Sequence, residues 1–267
     1  MRTIQQLADM TGRVALITGG AGHIGRAMAS SLCEHGCKVI LVDRDSDPAR
    51  AALVTMASAF PGLVASAFTD LESEAARVEL AAEFAERHGR LDVLINNAGF
   101  VGDTQLQGWA VPFAEQSIDT WRRALEVNLS APFHLVQLLA PLLVASGHGS
   151  VVNVGSIYGL VGPDMGLYEG TSMGNPAAYA CSKGGLLQLT RWLATTLAPQ
   201  VRVNSITPGG LARGQRQAFV DKYVARTPLG RMGTEEDFKG AAILLASDMS
   251  AWMTGQNIVV DGGWTAW

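Results

Sequence analysis

Short apolar runs alternate along the chain with longer amphipathic segments. Most of the runs are rich in β-branched residues, and several end at asparagine, aspartate or glycine, which is typical of strands buried on both faces of a parallel sheet. The pattern predicts strands at residues 13–18, 38–42, 63–68, 91–95, 150–154, 201–206 and 257–260.

The segments between these strands have helical periodicity, and several of them open on a capping residue or close on glycine. Helices are predicted at residues 26–35, 47–59, 72–88, 117–145, 175–198 and 234–247, and a polar loop is predicted to run as far as Gln116. Pro132 lies inside the fourth helix, where we expect a kink or a break. The alternation predicts one α/β domain over residues 1–267, a doubly wound, seven-stranded and mostly parallel sheet flanked by helices.

A glycine-rich turn follows the first strand and runs from Gly19 to Gly25 with the sequence GGAGHIG. The second strand ends at Asp43, about twenty residues further on. Glycines let the backbone approach a pyrophosphate, the helix N-terminus attracts its charge, and the acid accepts hydrogen bonds from ribose hydroxyls. The unit therefore predicts dinucleotide binding in a Rossmann-type domain, with a merely structural turn as the alternative.

Tyr179 and Lys183 are four residues apart, and they share one helical face if Asn175 and Pro176 open the helix. An ammonium near a phenol favours the phenolate, which would make Tyr179 a candidate general acid/base near neutral pH. Ser156 follows a strand and could hold a substrate oxygen beside it. Taken alone, the Tyr–Lys spacing is more often a pair on a helix surface.

Ligands bind beyond the carboxyl ends of the strands in doubly wound sheets. The unusual residues of this chain fall at those ends, which packing alone would not favour. They are the glycines of the turn, Asp43, Asp70, Asn97, Ser156 and Pro208.

Composition narrows the classes of function. The chain has 48% hydrophobic residues and a formal charge of −4, so no basic excess indicates nucleic acid or an anionic membrane. The first residues lack the apolar core of a signal peptide, and we expect no apolar run long enough to span a bilayer. We therefore expect a cytoplasmic protein with no metal site, and with Cys33, Cys37 and Cys181 reduced and buried.

Together these motifs resemble the short-chain dehydrogenase/reductase family over about residues 11 to 263. The residues that carry the resemblance occur in the family's order: Thr18, Gly19, His23, Ile24 and Gly25, then Asn96 to Gly99, Asn128, Ser156, Tyr179, Lys183, Pro208 and Gly209. The resemblance implies an oxidoreductase that interconverts a secondary alcohol and a ketone by hydride transfer with NAD or NADP.

The resemblance also implies a role for each catalytic residue. Tyr179 would donate or accept the hydroxyl proton, and Ser156 would orient the substrate carbonyl. Lys183 would lower the pKa of Tyr179 and hold the nicotinamide ribose. Asn128 would fix a water that links Lys183 to solvent; without the family, an amide bonded to its own helix backbone is equally plausible for Asn128.

The cofactor contacts follow from the same resemblance. They are Gly19, Ala21, Gly22, His23, Ile24, Gly25, Asp43, Arg44, Asp70, Leu71, Asn97, Ala98, Gly99, Tyr179, Lys183, Pro208, Gly209 and Leu211. Asp43 favours NAD, because a carboxylate repels the 2′-phosphate of NADP, but the neighbouring Arg44 leaves NADP open.

Three features depart from the family. His23 replaces a glycine, and we expect its side chain to point outward rather than to phosphate. Residues 163–174 are an insertion beside the active site that we expect to shape substrate recognition, with Tyr168 and Glu169 as candidates and a surface loop as the alternative. Arg213 replaces the usual threonine and would meet either an anionic substrate or solvent.

The insertion and the C-terminal residues 260–267 resemble a narrower bacterial group, the oxidoreductases of flagellin-modification and surface-sugar pathways, which implies a small polar, sugar-derived substrate. The alternatives are an NADPH-dependent ketoreductase acting on a non-sugar carbonyl and a dinucleotide-binding scaffold without turnover. A sugar-nucleotide epimerase is disfavoured, because too few residues follow Pro208 for a second domain. A homo-oligomer, dimer or tetramer, is expected through helices 117–145 and 176–198. Trp264 and Trp267 either join that interface or pack on their own subunit.

Overall fold

The computed structural model describes residues 1–101 and 106–267. Within these ranges the strands form one seven-stranded sheet of order β3-β2-β1-β4-β5-β6-β7, and every neighbouring pair is parallel. The predicted doubly wound sheet is therefore confirmed, and it is parallel throughout. The strands are β1 Val14–Thr18, β2 Lys38–Asp43, β3 Val64–Phe68, β4 Val93–Asn96, β5 Ser150–Val154, β6 Arg202–Pro208 and β7 Asn257–Val260.

Helices cover both faces of the sheet. In the described ranges they are α1 Ile4–Ala8, α2 His23–Glu34, α3 Asp47–Ala59, α4 Glu74–His88, α5 Ile118–Leu125, α6 Ala131–Ser146, α7 Ala177–Leu197, α8 Gln217–Ala225 and α9 Lys239–Ala246. Helix α2 begins at His23 rather than at residue 26, so the last glycine of the turn is already helical. Pro176, not Asn175, occupies the N-cap of α7. The sequence patterns missed α1 and α8. The predicted loop up to Gln116 falls partly on residues 102–105, which lie outside the described ranges.

The long helix predicted at 117–145 changes type in its middle. A π-helical turn, Glu126–Ser130, joins α5 to α6, and Pro132 stands in the first turn of α6. Proline has no N–H for the ladder, so a wider turn before it keeps the helix continuous. The predicted kink is therefore a π turn.

This continuous helix corrects one expectation from the sequence. From Ile118 to Ser146 it is long and apolar enough to cross a membrane by length and composition, with a mean hydropathy of 1.5 over an 18-residue window. Core helices meet the same criterion. Leu135, Leu139 and Leu143 of α6 are buried in one of the two cores beside the sheet.

The two cores lie on opposite faces of the sheet, because alternate residues of each strand point to opposite sides. Ile17 of β1 packs in the core that includes α2, α3 and α9, whereas Leu16 packs in the core that includes α4, α6 and α7. This burial on both faces explains the continuous apolar strand sequences.

The C-terminal segment packs on its own subunit. Trp264 is 3% exposed, and its ring stacks on Tyr223 with centroids 5.9 Å apart. Trp267 remains exposed. An interface role for Trp264 is therefore wrong, because its ring is already covered. Cys33 and Cys37 are buried as expected, but Cys181 is exposed, which corrects the prediction for that thiol.

Candidate active site

A cavity of about 720 Å³ opens at the carboxyl ends of the central strands. This volume is within the usual range for ligand sites. Most of the predicted site residues line it. They are Gly19, Gly22, His23, Ile24, Asp43, Arg44, Asp70, Leu71, Asn97, Ala98, Gly99, Ser156, Tyr179, Lys183, Pro208, Gly209 and Leu211. Ala21, Gly25 and Asn128 are predicted site residues that do not line the cavity.

The glycine-rich turn is held tightly against the start of α2 and the end of β4. A Cβ atom on Gly25 would lie 2.4 Å from the carbonyl oxygen of Gly19, and a Cβ on Gly19 would lie 2.8 Å from Ala98 Cα. Gly19 also has a φ of +64°, a conformation that side chains disfavour. The Nδ2 of Asn97 donates to the carbonyls of Thr18 and Gly19 at 3.0 and 2.9 Å. Asn97 therefore braces the turn rather than presenting its amide to a ligand.

The carboxylate of Asp43 fits the ribose-binding role. One oxygen accepts from Ala21 N at 2.9 Å, and the other accepts from Arg44 N at 2.8 Å. Each carboxylate oxygen has a second lone pair, so each keeps an acceptor position that a ribose hydroxyl could use. The glycine cradle and this partly satisfied acid fit an adenine dinucleotide.

The candidate catalytic residues meet at the ends of β5 and α7. Ser156 follows β5, is 6% exposed, and its Oγ accepts from Tyr158 N at 3.2 Å. Lys183 is 3% exposed, and its Nζ donates to the Val154 carbonyl at 2.8 Å. The same Nζ lies 5.9 Å from the centroid of the Tyr179 ring. Spacing along α7 thus brings the phenol and the ammonium to one face, as predicted, and β5 supplies the serine.

The electrostatics of this group differ from the expectation. Burial raises the pKa of Tyr179, and the nearby hydroxyl of Ser156 and the charge of Arg213 only partly offset that rise. Burial also lowers the pKa of Lys183 to about 8. The net shift of the Tyr179 pKa is therefore opposite to the expected direction, and a lowering by Lys183 stays a prediction. The reason is that desolvation dominates both groups and the ammonium is directed at a backbone carbonyl.

Asn128 lies on the π turn and is fully buried. Its Oδ1 accepts from Phe100 N at 2.6 Å, and its Nδ2 donates to Phe100 O at 3.3 Å and to Ser182 Oγ at 3.0 Å. The alternative of an amide bonded to its own helix backbone is therefore wrong. A Cβ on Gly99 would lie 3.8 Å from both Asn128 Oδ1 and Lys183 Nζ, so these two groups face the same small space.

The insertion at 163–174 packs against α8 instead of lining the cavity. Its short 3-10 helix, Met165–Tyr168, buries Leu167 in the cluster that contains Trp264. The hydroxyls of Tyr168 and Tyr158 are 2.7 Å apart, and Glu169 is exposed and lies 3.8 Å from the Lys222 ammonium. Neither Tyr168 nor Glu169 lines the cavity among the described residues. Tyr168 lies behind the Ser156 segment, and Glu169 faces solvent.

The two single-residue departures, His23 and Arg213, both line the cavity. The imidazole of His23 is half exposed, and its Nδ1 is 2.8 Å from the Glu235 carboxylate. Arg213 is exposed on the segment after β6 and lines the cavity. The His23 side chain is therefore exposed, as expected, and it contacts Glu235, a residue distant in sequence.

Several lining residues were not found from the sequence. Arg123 pairs with Glu72 through two nitrogens at 2.7 and 3.1 Å, and the Arg123 guanidinium covers the Phe100 ring at 5.0 Å from its centroid. Gln215 lines the cavity beside Leu211. Val42, Thr69 and Val154 also line the cavity, and their positions at or next to strand ends could have identified them from the sequence. Arg123 and Gln215 belong to no local motif.

The fold and the cavity define a dinucleotide-binding α/β domain whose serine, tyrosine and lysine converge at one end of the binding cleft. Residues 19–265 match the family model described as enoyl-(acyl carrier protein) reductase. The chain is 35% identical over 263 residues to the trans-4-hydroxycyclohexanecarboxylate dehydrogenase of Sinomonas cyclohexanicum, covering 95% of this chain and 93% of that protein. The chain belongs to the short-chain dehydrogenase/reductase family, a family of oxidoreductases.

Two solved structures support the assignment. The gluconate 5-dehydrogenase of Burkholderia cenocepacia J2315, in complex with NADP and tartrate, has a TM-score of 0.86 and 30% identity over 99% of this chain and all of that one. RhlG of Pseudomonas aeruginosa, as an active-site complex with NADP, has a TM-score of 0.84 and 31% identity over 97% and 98% of the two chains.

Proposed function

We propose that the protein is an NAD-dependent oxidoreductase that interconverts a secondary alcohol and a ketone on a small polar substrate. The observation that carries the proposal is the convergence of Ser156, Tyr179 and Lys183 in the cavity that also contains the glycine-rich turn. Bound there, a nicotinamide would accept or supply the hydride.

The proton would move through Tyr179. The raised pKa keeps this phenol protonated at neutral pH, so it is ready to donate to the oxygen of a ketone. The hydroxyl of Ser156 would hold that oxygen in place. Lys183, which has most of its charge below pH 8, would stabilise negative charge on the phenol in the reverse reaction. We therefore expect reduction to be favoured near neutral pH and oxidation at higher pH.

The proposal of NAD over NADP rests on Asp43. Its carboxylate, already fixed by two backbone N–H groups, would repel the 2′-phosphate of NADP. The solved relatives described above hold NADP, and Arg44 leaves that cofactor open for this chain too. A sugar-derived substrate also stays part of the proposal, supported by the relationship to a gluconate 5-dehydrogenase. A non-sugar alternative is favoured by the relative named for a cyclic hydroxy acid.

Two measurements test this function. Fluorescence titrations with NADH and NADPH should show tighter binding of NADH, and the Asp43→Ala variant should lose that preference. Tyr179→Phe should keep cofactor binding and lose most of the turnover that the native enzyme shows on a hydroxycyclohexanecarboxylate or on gluconate. Tighter NADPH binding would favour the ketoreductase alternative. Binding of neither nucleotide would leave the non-catalytic scaffold, and full activity of Tyr179→Phe would refute the proton route.

We also propose a homo-oligomer, a dimer or tetramer, formed through α6 and α7. Both helices keep large apolar side chains in contact with solvent: Phe133 is 41% exposed, Val144 is 44% exposed and Trp192 is 54% exposed. Only a third of the most apolar window of the long helix is buried within one chain. Sedimentation of the native protein should give a dimer or tetramer, and Trp192→Arg should shift it towards monomer. A native monomer would contradict the proposal.

The predicted cytoplasmic location stays a prediction.

A further inference from the structure

The loop after β6 carries an arginine at the catalytic end of the cavity. Leu211 pairs with Gly233, and Ala212 N donates to the Gly233 carbonyl at 3.0 Å. The side chain of Gln215 holds the next turn through two hydrogen bonds. Its Oε1 accepts from Arg213 N, and its Nε2 donates to Leu211 O, both at 2.7 Å. Arg213 is therefore an exposed side chain on a braced backbone.

Two other cations of the cavity are already engaged, whereas Arg44, which follows the ribose-binding candidate Asp43, has no ion pair among the described residues. The guanidinium of Arg123 forms a two-point pair with Glu72, and the ammonium of Lys183 is held by the Val154 carbonyl. Arg213 has no ion pair with any residue of the described ranges. Its charge still reaches the catalytic tyrosine, because it lowers the pKa of Tyr179.

The Arg213 charge also lowers the pKa of the Glu235 carboxylate, but no ion pair joins the two residues in the described part of the chain. Glu235 has other partners. Its own backbone N–H donates to it, and the imidazole of His23 lies 2.8 Å from its Oε1. Arg213 therefore keeps hydrogen-bond donors for a ligand, at the end of the cavity where Tyr179 and Ser156 meet.

We infer that Arg213 recognises a carboxylate on the substrate, so that the enzyme acts on anionic hydroxy acids and oxo acids rather than on neutral alcohols. The planar fork of a guanidinium matches the two oxygens of a carboxylate. The cofactor pyrophosphate offers the same chemistry, but the glycine-rich turn and the N-terminus of α2 already supply a site for it. The position near Tyr179 favours the substrate. This inference rests on the proposed function, because it assigns the substrate of the same site.

The test uses two probes of matched shape, cyclohexanecarboxylate and cyclohexanecarboxamide, which differ in charge. Their dissociation constants are measured by calorimetry on the protein saturated with the nicotinamide nucleotide it binds. If neither nucleotide binds, the proposed function fails, and the same titrations on the protein alone still test Arg213. The variants are Arg213→Gln, Arg213→Lys and, as a matched control, Arg216→Gln, which removes an exposed arginine outside the cavity lining.

We expect the native protein to bind the carboxylate about tenfold more tightly than the amide, as a charge-assisted hydrogen bond to a partly screened group allows. Arg213→Gln should abolish that preference, Arg213→Lys should keep part of it, and Arg216→Gln should leave it unchanged. The affinity for NADH or NADPH should change less than twofold in Arg213→Gln.

Three outcomes would overturn the inference. The first is equal weakening of both probes by Arg213→Gln. The second is a loss of nucleotide affinity as large as the loss of carboxylate affinity, which would assign Arg213 to the pyrophosphate. The third is a native protein that binds the carboxylate no better than the amide, or that binds neither probe at millimolar concentration.

Discussion

Replacing Lys183 with methionine should stabilise the protein near neutral pH. The lysine is 3% exposed, and burial lowers its pKa from 10.5 to about 8. A lowering of that size corresponds to ~3 kcal/mol, the cost of keeping the ammonium charged inside the fold. Methionine has a similar length and no charge. It leaves the Val154 carbonyl without this donor, which costs about 1 kcal/mol. The expected net gain at pH 7 is therefore roughly 2 kcal/mol in the free energy of unfolding.

The pH dependence gives this prediction its sign. Because the folded state has the lower lysine pKa, it releases its proton first as the pH rises. Between about pH 8 and the unfolded value near 10.5, the unfolded state binds more protons, so the native protein gains stability there. The advantage of Lys183→Met should consequently be largest below pH 8 and should shrink above it.

Urea unfolding of both proteins at pH 7, 8, 9 and 10 measures the difference directly. Lys222→Met is the control, because Lys222 is exposed and, among the described residues, its Nζ contacts only the surface carbonyl of Gly166 and, more distantly, Glu169. The control difference should stay flat with pH. If Lys183→Met were destabilising at pH 7, or if its effect did not vary with pH, burial of the charge would not be the dominant cost. A stabilised variant that has lost turnover would show that the site keeps this lysine for function.

Two further substitutions test the geometry behind the cavity. Gly25→Ala should weaken NADH binding at least tenfold and lower the free energy of unfolding by about 1–3 kcal/mol, because the new Cβ would lie 2.4 Å from the Gly19 carbonyl oxygen. Gly240→Ala is the matched control in a helix, where a Cβ would have nothing within 4 Å, and it should leave NADH binding unchanged. An equal loss in both variants would reject the steric argument. Asn128→Leu should lower the free energy of unfolding by roughly 1–3 kcal/mol, because it leaves the partly buried N–H and C=O of Phe100 and the buried hydroxyl of Ser182 without this partner. No measurable change in urea unfolding would contradict that account.

The sequence was most informative where the relevant interactions are local. Short continuous apolar runs predicted the seven strands, and the 3.6-residue periodicity predicted most of the helices. The spacing of Tyr179 and Lys183 predicted their shared face. The placement of Asp43 and Ser156 at strand ends predicted the cavity, since parallel strands bring their carboxyl ends to one edge of the sheet.

The predictions that failed concern residues whose surroundings come from distant parts of the chain. Trp264 was a candidate for an interface, but Tyr223 of α8 covers it. Cys181 was expected to be buried, yet it lies on the solvent side of α7. Tyr168 and Glu169 of the insertion do not line the cavity, and its Leu167 packs against α8; the expected role of the insertion in substrate recognition stays a prediction.

The sequence by itself determined the order of the elements, the parallel sheet and the identity of the residues at its carboxyl edge, because each depends on periodicity or on short spacings. Only the tertiary structure decided how deeply those residues are buried and which groups they contact. Burial raises the pKa of Tyr179 and lowers that of Lys183, and Asn128 is satisfied by Phe100, 28 residues away. Glu235 meets His23 across 212 residues. Desolvation and long-range pairing depend on which surfaces the packed fold brings together, and no local pattern encodes them.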